Sequence, residues 1–301
     1  MNRRTFLAAA SSAALLAACG KQAKAEPPGP KAVIPGIAMD QPVPEAAPPH
    51  SSPPAPTPTP VRPAASYERT LLAGTPWATA VSIRDSGTAG PAVLVLGGVH
   101  GNEPGGWMAA EEVANWVPRT GSLIVVPRAN RLATHSFVRT FDDIGDLNRL
   151  YPGDAASSFA MERMAAEITA LASEFECALA LDMHESWAFY VDAPGTGTAA
   201  LGQTITTGVG PLAPGFGPSI AEALNASLPE HDRFIVRDGA SFRRPDTAGG
   251  TTTRGRSSLG GHVPGLTPVL VEMGQQNQEV DRRMALHLMV ARQALGMLGV
   301  L

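Results

Sequence analysis

From about Ser66 onward the chain alternates short apolar runs with longer segments whose apolar residues recur at three- and four-residue steps. A short apolar run bounded by turn residues is the mark of a buried strand, and the three/four spacing marks one face of a helix. The runs predict strands near Ala78–Ile83, Ala92–Leu96, Leu123–Val126, Ala178–Leu181 and Val269–Val271. The longer segments predict helices from Glu103 to Trp116, from Ser158 to Phe175 and from Glu279 to Met297. Strands interleaved with helices imply a single α/β domain over residues 66–301, with a mixed, largely parallel sheet flanked by helices. The Gly-, Thr- and Ser-rich stretch from Ala248 to Gly265 predicts a long loop of the kind that covers or lines binding sites.

The first 65 residues have a different texture. Arg3-Arg4-Thr5-Phe6-Leu7 precedes an Ala- and Leu-rich run that stops at Cys19-Gly20. The run is too short to span a bilayer and predicts an export signal over 1–18. Its paired arginines resemble a twin-arginine signal, with Asn2 and Ala8 in place of the usual Ser and Lys. Leu16-Ala17-Ala18-Cys19 resembles a bacterial lipobox. That resemblance implies cleavage before Cys19 and a lipid anchor on it, multiple acyl chains giving stable membrane attachment. Between Pro27 and Pro63 lie 14 of the 28 prolines, a composition that builds no packed core. Residues 19–65 thus read as a lipid-anchored linker reaching on the order of 100 Å if extended at about 3.1 Å per residue. The expected location is the periplasmic or cell-surface side of a bacterial membrane.

The net charge of −4, from 23 basic and 27 acidic residues in 301, shows no bias of the kind nucleic-acid binding leaves. A small-molecule or peptide substrate fits better. With Cys19 lipidated, Cys177 has no disulfide partner within the chain, and its apolar setting predicts a buried inert thiol.

Polar clusters follow three of the predicted strands. After Ala92–Leu96 comes Gly97-Gly98-Val99-His100-Gly101-Asn102-Glu103-Pro104, at the strand end where open α/β sheets bind ligands. An imidazole and a carboxylate three residues apart on a tight turn can face one ion, and that donor pair suits zinc. The flanking glycines would let the backbone approach the metal. After the run Cys177–Leu181 comes Asp182-Met183-His184-Glu185-Ser186, which offers His184 as third ligand and Asp182 as acceptor for a ligand imidazole. The third is Glu272, emerging from Val269-Leu270-Val271. A carboxylate there is costly to bury without a task, and beside a metal-bound water it would be the general base. Between them lie Pro127-Arg128-Ala129-Asn130, Arg139 and Asp146-Leu147-Asn148-Arg149, polar residues able to grip a carboxylate.

Taken in order, His100-x-x-Glu103, Pro127-Arg128-Ala129-Asn130, Asp146-Leu147-Asn148-Arg149, Asp182-Met183-His184 and Glu272 resemble the succinylglutamate desuccinylase/aspartoacylase family of the zinc carboxypeptidase superfamily. The resemblance implies a zinc carboxypeptidase-like fold, zinc on His100, Glu103 and His184, and Glu272 as base. It also implies substrate-carboxylate recognition by Asn148 and Arg149, with Arg139, or its rival Arg128, polarising the scissile carbonyl. There are departures. Aspartoacylase-like relatives carry a carboxyl-terminal β-rich region that narrows access, whereas 29 residues resembling one helix follow Glu272 here. Carboxypeptidases close a loop tyrosine over the substrate, and no Tyr follows Tyr190. The leading expectation is a zinc hydrolase that cleaves an amide bond adjacent to a carboxylate, in an N-acyl amino acid or a related small amide. A peptide carboxypeptidase or amidase, including one for cell-wall peptides, is the alternative within enzymes, and a zinc- or carboxylate-binding lipoprotein the alternative outside them. Arg243, Arg244, Arg254 and Arg256 are solvated loop charges or an anion-recognising rim.

Overall fold

The computed structural model describes residues 63–194, 199–212, 214–238, 259 and 262–301. The expected signal, Cys19 and nearly all of the linker lie outside the described residues, as do Arg243, Arg244, Arg254, Arg256 and most of the expected long loop.

Among the described residues, eight strands form one sheet. They are β1 (Ala65–Leu71), β2 (Thr79–Asp85), β3 (Ala92–Leu96), β4 (Ser122–Val126), β5 (Cys177–Ser186), β6 (Thr204–Thr207), β7 (Ile235–Asp238) and β8 (Thr267–Gly274). Their spatial order is β1-β2-β4-β3-β5-β8-β6-β7. The central strands β4, β3, β5 and β8 run parallel, and antiparallel pairings join β2 to β4, β1 to β2 and β6 to β8. The expected mixed α/β domain is therefore the observed one.

Two apolar layers hold the sheet. Alternation along the strands sends Val93, Val95, Leu181, Met183 and Val271 to the face covered by α1 (Pro104–Val113), α4 (Phe216–Asn225) and α5 (Val280–Met297). Leu94, Leu96, Ile124 and Ala180 face the other way, toward α3 (Ala160–Glu174). Each Val, Leu, Ile or Met side chain among them, fully buried, contributes roughly 1.5–3 kcal/mol. From β3 the chain steps through α1 to β4, then returns through α3 to β5 on β3's other side. In open α/β sheets such a reversal, here at the carboxyl ends of β3 and β5, marks the place where ligands bind.

Each expected strand and helix is present, β3 with the expected ends and the others with shifted ones. The helix expected from Glu103 begins at Pro104, with Glu103 as its cap, because proline supplies a pre-set φ and needs no N–H donor at the first position. The strand expected to stop at Leu181 runs to Ser186 through a polar segment. Its neighbours β3 and β8 supply ladder bonds that local sequence does not reveal. The unforeseen elements are short or carry masking residues: β1 is an exposed polar edge, β6 is Thr-Ile-Thr-Thr, and α4 opens with Phe-Gly-Pro.

The approach of α1 to β5 depends on a missing side chain. A Cβ at Gly106 would lie 2.6 Å from the Met183 carbonyl oxygen. In an exposed helix Gly→Ala stabilises by roughly 1 kcal/mol, but here the clash wins. Gly106→Ala is expected to lower the unfolding free energy by about 1–3 kcal/mol, measured by urea denaturation. A variant as stable as the parent would show that α1 and β5 are not held together this closely.

Candidate active site

Three adjacent parallel strands end at one place. The loop after β3 carries His100 and Glu103, β5 carries Asp182 and His184, and β8 carries Glu272. His184 and Glu272 are register partners across the β5–β8 ladder. They lie on the face opposite to Met183 and Val271, so both side chains project to the same side of the sheet.

The Glu103 carboxylate is buried between the two imidazoles. Its Oε1 lies 2.7 Å from His100 Nδ1, and its Oε2 lies 2.9 Å from His184 Nδ1. The two Nδ1 atoms are 3.1 Å apart. At that distance one neutral ring can donate to the other, and the same two nitrogens beside a carboxylate are also donors that could converge on one cation. One ligand atom from each of His100, Glu103 and His184 lies within 4.8 Å of the others. Two nitrogens on one zinc at bond lengths of about 2.0–2.1 Å stand roughly 3.3 Å apart in a tetrahedral site, close to what is seen. Nitrogen and carboxylate donors, three in number, fit a catalytic zinc with a position left open.

The charges around this set reinforce one another. Burial opposes the charged His184, but Asp182 and Glu103 outweigh it and hold the imidazole well above its ordinary range. Burial likewise opposes charge on His100, and Glu103 and Asp146 outweigh it, raising its pKa. Burial works to raise Glu103, but the two imidazoles hold it below the usual carboxylate range.

Asp182 Oδ1 lies 3.2 Å from His184 Nε2, an ion-pair distance without hydrogen-bond alignment. Asp182 thus serves His184. His100 has its own carboxylate, Asp146, whose Oδ1 lies 3.1 Å from Nε2. Sequence reasoning quoted Asp146 without giving it this task. The signal was there, since the same carboxylate-to-imidazole logic applied to Asp182 extends to it.

Arg139 reaches the cluster from the rim. Its guanidinium lies 3.2 Å from Asp146 and 3.6 Å from Glu103, with the side chain 44% exposed. Arg128 points elsewhere: it pairs with Glu111 at 2.5 Å and stacks 3.9 Å above the Trp107 ring. Asn148 and Arg149 sit on a single 3₁₀ turn capped by Asp146. Asn148 is buried with its Oδ1 unpartnered, while Arg149 is exposed. Glu272 is buried, its Oε2 has no partner, and burial is the main cause pushing its carboxyl up to about 7.

Two further expectations meet the structure here. Cys177 is buried and free, its thiol pushed up to about 12 by burial. The glycines beside His100 serve packing of the loop. Gly98, at φ +66°, and Gly101 make room for Arg128, Ala133 and Thr134. The reason is that the loop must pack against the α2 segment (Arg131–Ser136).

Residues 89–188 match the model of the succinylglutamate desuccinylase/aspartoacylase catalytic domain. A search of curated proteins finds no match. Among solved structures, product-bound Cell Shape Determinant protein Csd4 from Helicobacter pylori superposes with a TM-score of 0.58 at 17% identity, over 79% of this chain and 56% of that one. The mDAP-bound form of Helicobacter pylori Csd4, a D,L-carboxypeptidase, gives 0.56 at 19% identity, over 70% and 52%. An aspartoacylase family protein from Mesorhizobium loti gives 0.52 at 22%, over 80% and 68%. The chain spans about half the length of the Csd4 chains it matches, and at these identities the likeness is one of fold. The match to the succinylglutamate desuccinylase/aspartoacylase catalytic domain covers the segment that carries His100, Glu103 and His184.

Proposed function

We propose that this chain is a zinc-dependent hydrolase that cleaves an amide bond adjacent to a carboxylate, with N-acyl amino acids as its substrate class. The observation that carries the reading is Glu272: a buried carboxylate with an unpartnered oxygen, register partner of a residue in a complete three-donor metal set. A site that only bound a ligand would need no such group.

Zinc held by His100, Glu103 and His184 would supply a Lewis acid for the scissile carbonyl and lower the pKa of a water. Glu272, as carboxylate, takes a proton from the attacking water, and once protonated gives it to the leaving nitrogen. Arg139 donates to the carbonyl oxygen as negative charge develops there. Asn148 and Arg149 hold the substrate carboxylate beside the bond to be cut, the guanidinium with paired N–H donors and the amide with its NH2 group. Asp146 and Asp182 orient the two imidazoles.

A peptide-directed carboxypeptidase is the second reading. It is suggested by Csd4, a D,L-carboxypeptidase of like fold also solved with a bound tripeptide. Parallel assays on N-acetyl amino acids and on short peptides ending in a diamino acid separate the two. Export and a lipid anchor at Cys19 belong to the same proposal, and incorporation of labelled fatty acid that vanishes in Cys19→Ser would support it.

Elemental analysis of the purified protein is expected to find about one zinc per chain, lost in His184→Ala. No zinc in the parent, even after reconstitution, would sink the hydrolase reading. Glu272→Gln is expected to keep the zinc and lose activity by at least about 10²–10⁴-fold. Arg139→Ala should slow turnover by about 10²–10³-fold at unchanged zinc content, and steady-state rates equal to the parent's would remove Arg139 from the mechanism.

A further inference from the structure

The back of the metal-bearing strand carries a charged group with no part in the chemistry above. Residues alternate along β5, so Glu185 faces away from the site, into the layer beneath α1 and α5. Val113, Met183, Leu286 and Val290 make up the apolar part of that layer. Glu185 is 4% exposed there, and Arg283 of α5, 6% exposed, donates to its Oε2. Gln275 donates to the same oxygen at 2.9 Å and to the Asn102 carbonyl at 2.8 Å, tying the carboxylate to the loop between His100 and Glu103. The carboxylate's other oxygen packs where a Cβ on Gly105 would sit. One turn along α5, His287 is wholly buried with both ring nitrogens unpartnered.

The front and back of the strand meet at one backbone group. The Glu185 N–H donates to Glu103 Oε2 at 3.0 Å, the same oxygen that faces His184. Burying an ion pair is no efficient way to stabilise an apolar layer, because desolvation offsets most of the attraction and an apolar pair of similar volume does as well or better. Specific placement is what such a pair supplies that leucines do not.

We propose that Arg283 is a positioning residue: by clamping Glu185 it aims the Glu185 N–H at Glu103 and fixes that carboxylate between His100 and His184 for metal binding. The inference rests on the zinc-hydrolase reading. The Arg283 guanidinium donates to Glu185, whose Oε2 also accepts from Gln275, and Gln275 in turn donates to the loop that bears His100 and Glu103.

The test measures zinc affinity by chelator competition, and the melting temperature of the metal-free protein, on the full chain. The variants are Arg283→Met, Arg283→Lys and the double change Glu185→Leu/Arg283→Leu. Arg283→Met is expected to weaken zinc binding by about 10–100-fold, the range seen when partners of metal ligands are removed. Arg283→Lys should recover part of that affinity. The double variant should regain the metal-free melting temperature while zinc binding stays weak, because it restores packing without restoring aim. It also keeps the test usable if the single variant fails to fold. Unchanged zinc affinity in folded variants, or a double variant that recovers stability and affinity together, would overturn the proposal and leave the hydrolase reading intact. A parent that binds no zinc would overturn both.

Discussion

The Glu103 carboxylate sits at the centre of the structure's arrangement, buried and shared between two imidazoles and a backbone N–H. An ionised carboxylate out of water is tolerated only when nearly every lone pair is occupied, and that demand fixes more than the site. His100 and Glu103 must leave β3 on a tight loop, α1 must start at Pro104, and β5 must continue as strand past its apolar run so that His184 and the Glu185 N–H meet the same oxygen. Gly105 and Gly106 then lie against β5, where a larger residue would push α1, and Glu103 with it, away.

Strand β5 divides its labour by parity. Asp182 and His184 serve the side where substrate would arrive, and Met183 and Glu185 serve the side packed under α1 and α5. A one-residue slip would exchange ligand for core, so the register with β3 and β8 is as much a part of the site as the donors themselves. The parallel neighbours enforce it along the strand's length, and the Thr267–Gly274 partner runs in step with β5 from Leu179 to Ser186. That is why a stretch as polar as Asp182-Met183-His184-Glu185-Ser186 remains extended and almost wholly buried.

The parallel centre of the sheet was legible in the sequence because its strands are continuous apolar runs, and the strand-end polar clusters because polarity there interrupts a buried pattern. The three ligand candidates could be proposed as one set because each follows such a run. Their meeting at one carboxylate is a fact of strand order, which sequence does not contain. The edge and late elements escaped for other reasons: β1 is exposed along most of its length, and β6 gives only four residues to a pattern of period two. Glu185 and Arg283 lie 98 positions apart, and each alone reads as an ordinary surface charge.

The two arginines considered for the proposed carbonyl-polarising role are separated by what already holds them. Arg128 has its charge met by Glu111 and its plane covered by Trp107, so turning toward a substrate would forfeit a salt bridge and a stacked face together. Arg139 is shared between Asp146 and Glu103 at longer distances, with nearly half its side chain in solvent. A guanidinium has five N–H donors, and two loosely met carboxylates leave several free. Asp146 accepts from Arg139 through one oxygen while its other faces His100, so the same carboxylate steadies a ligand imidazole and the cation at the rim. An oxygen that gains negative charge there competes for donors already aimed at the cluster, and the cost of reorienting them is small. Electrostatic stabilisation of a transition state depends on that economy of reorganisation, and it is the position of Arg139, more than its charge, that suits it to the task.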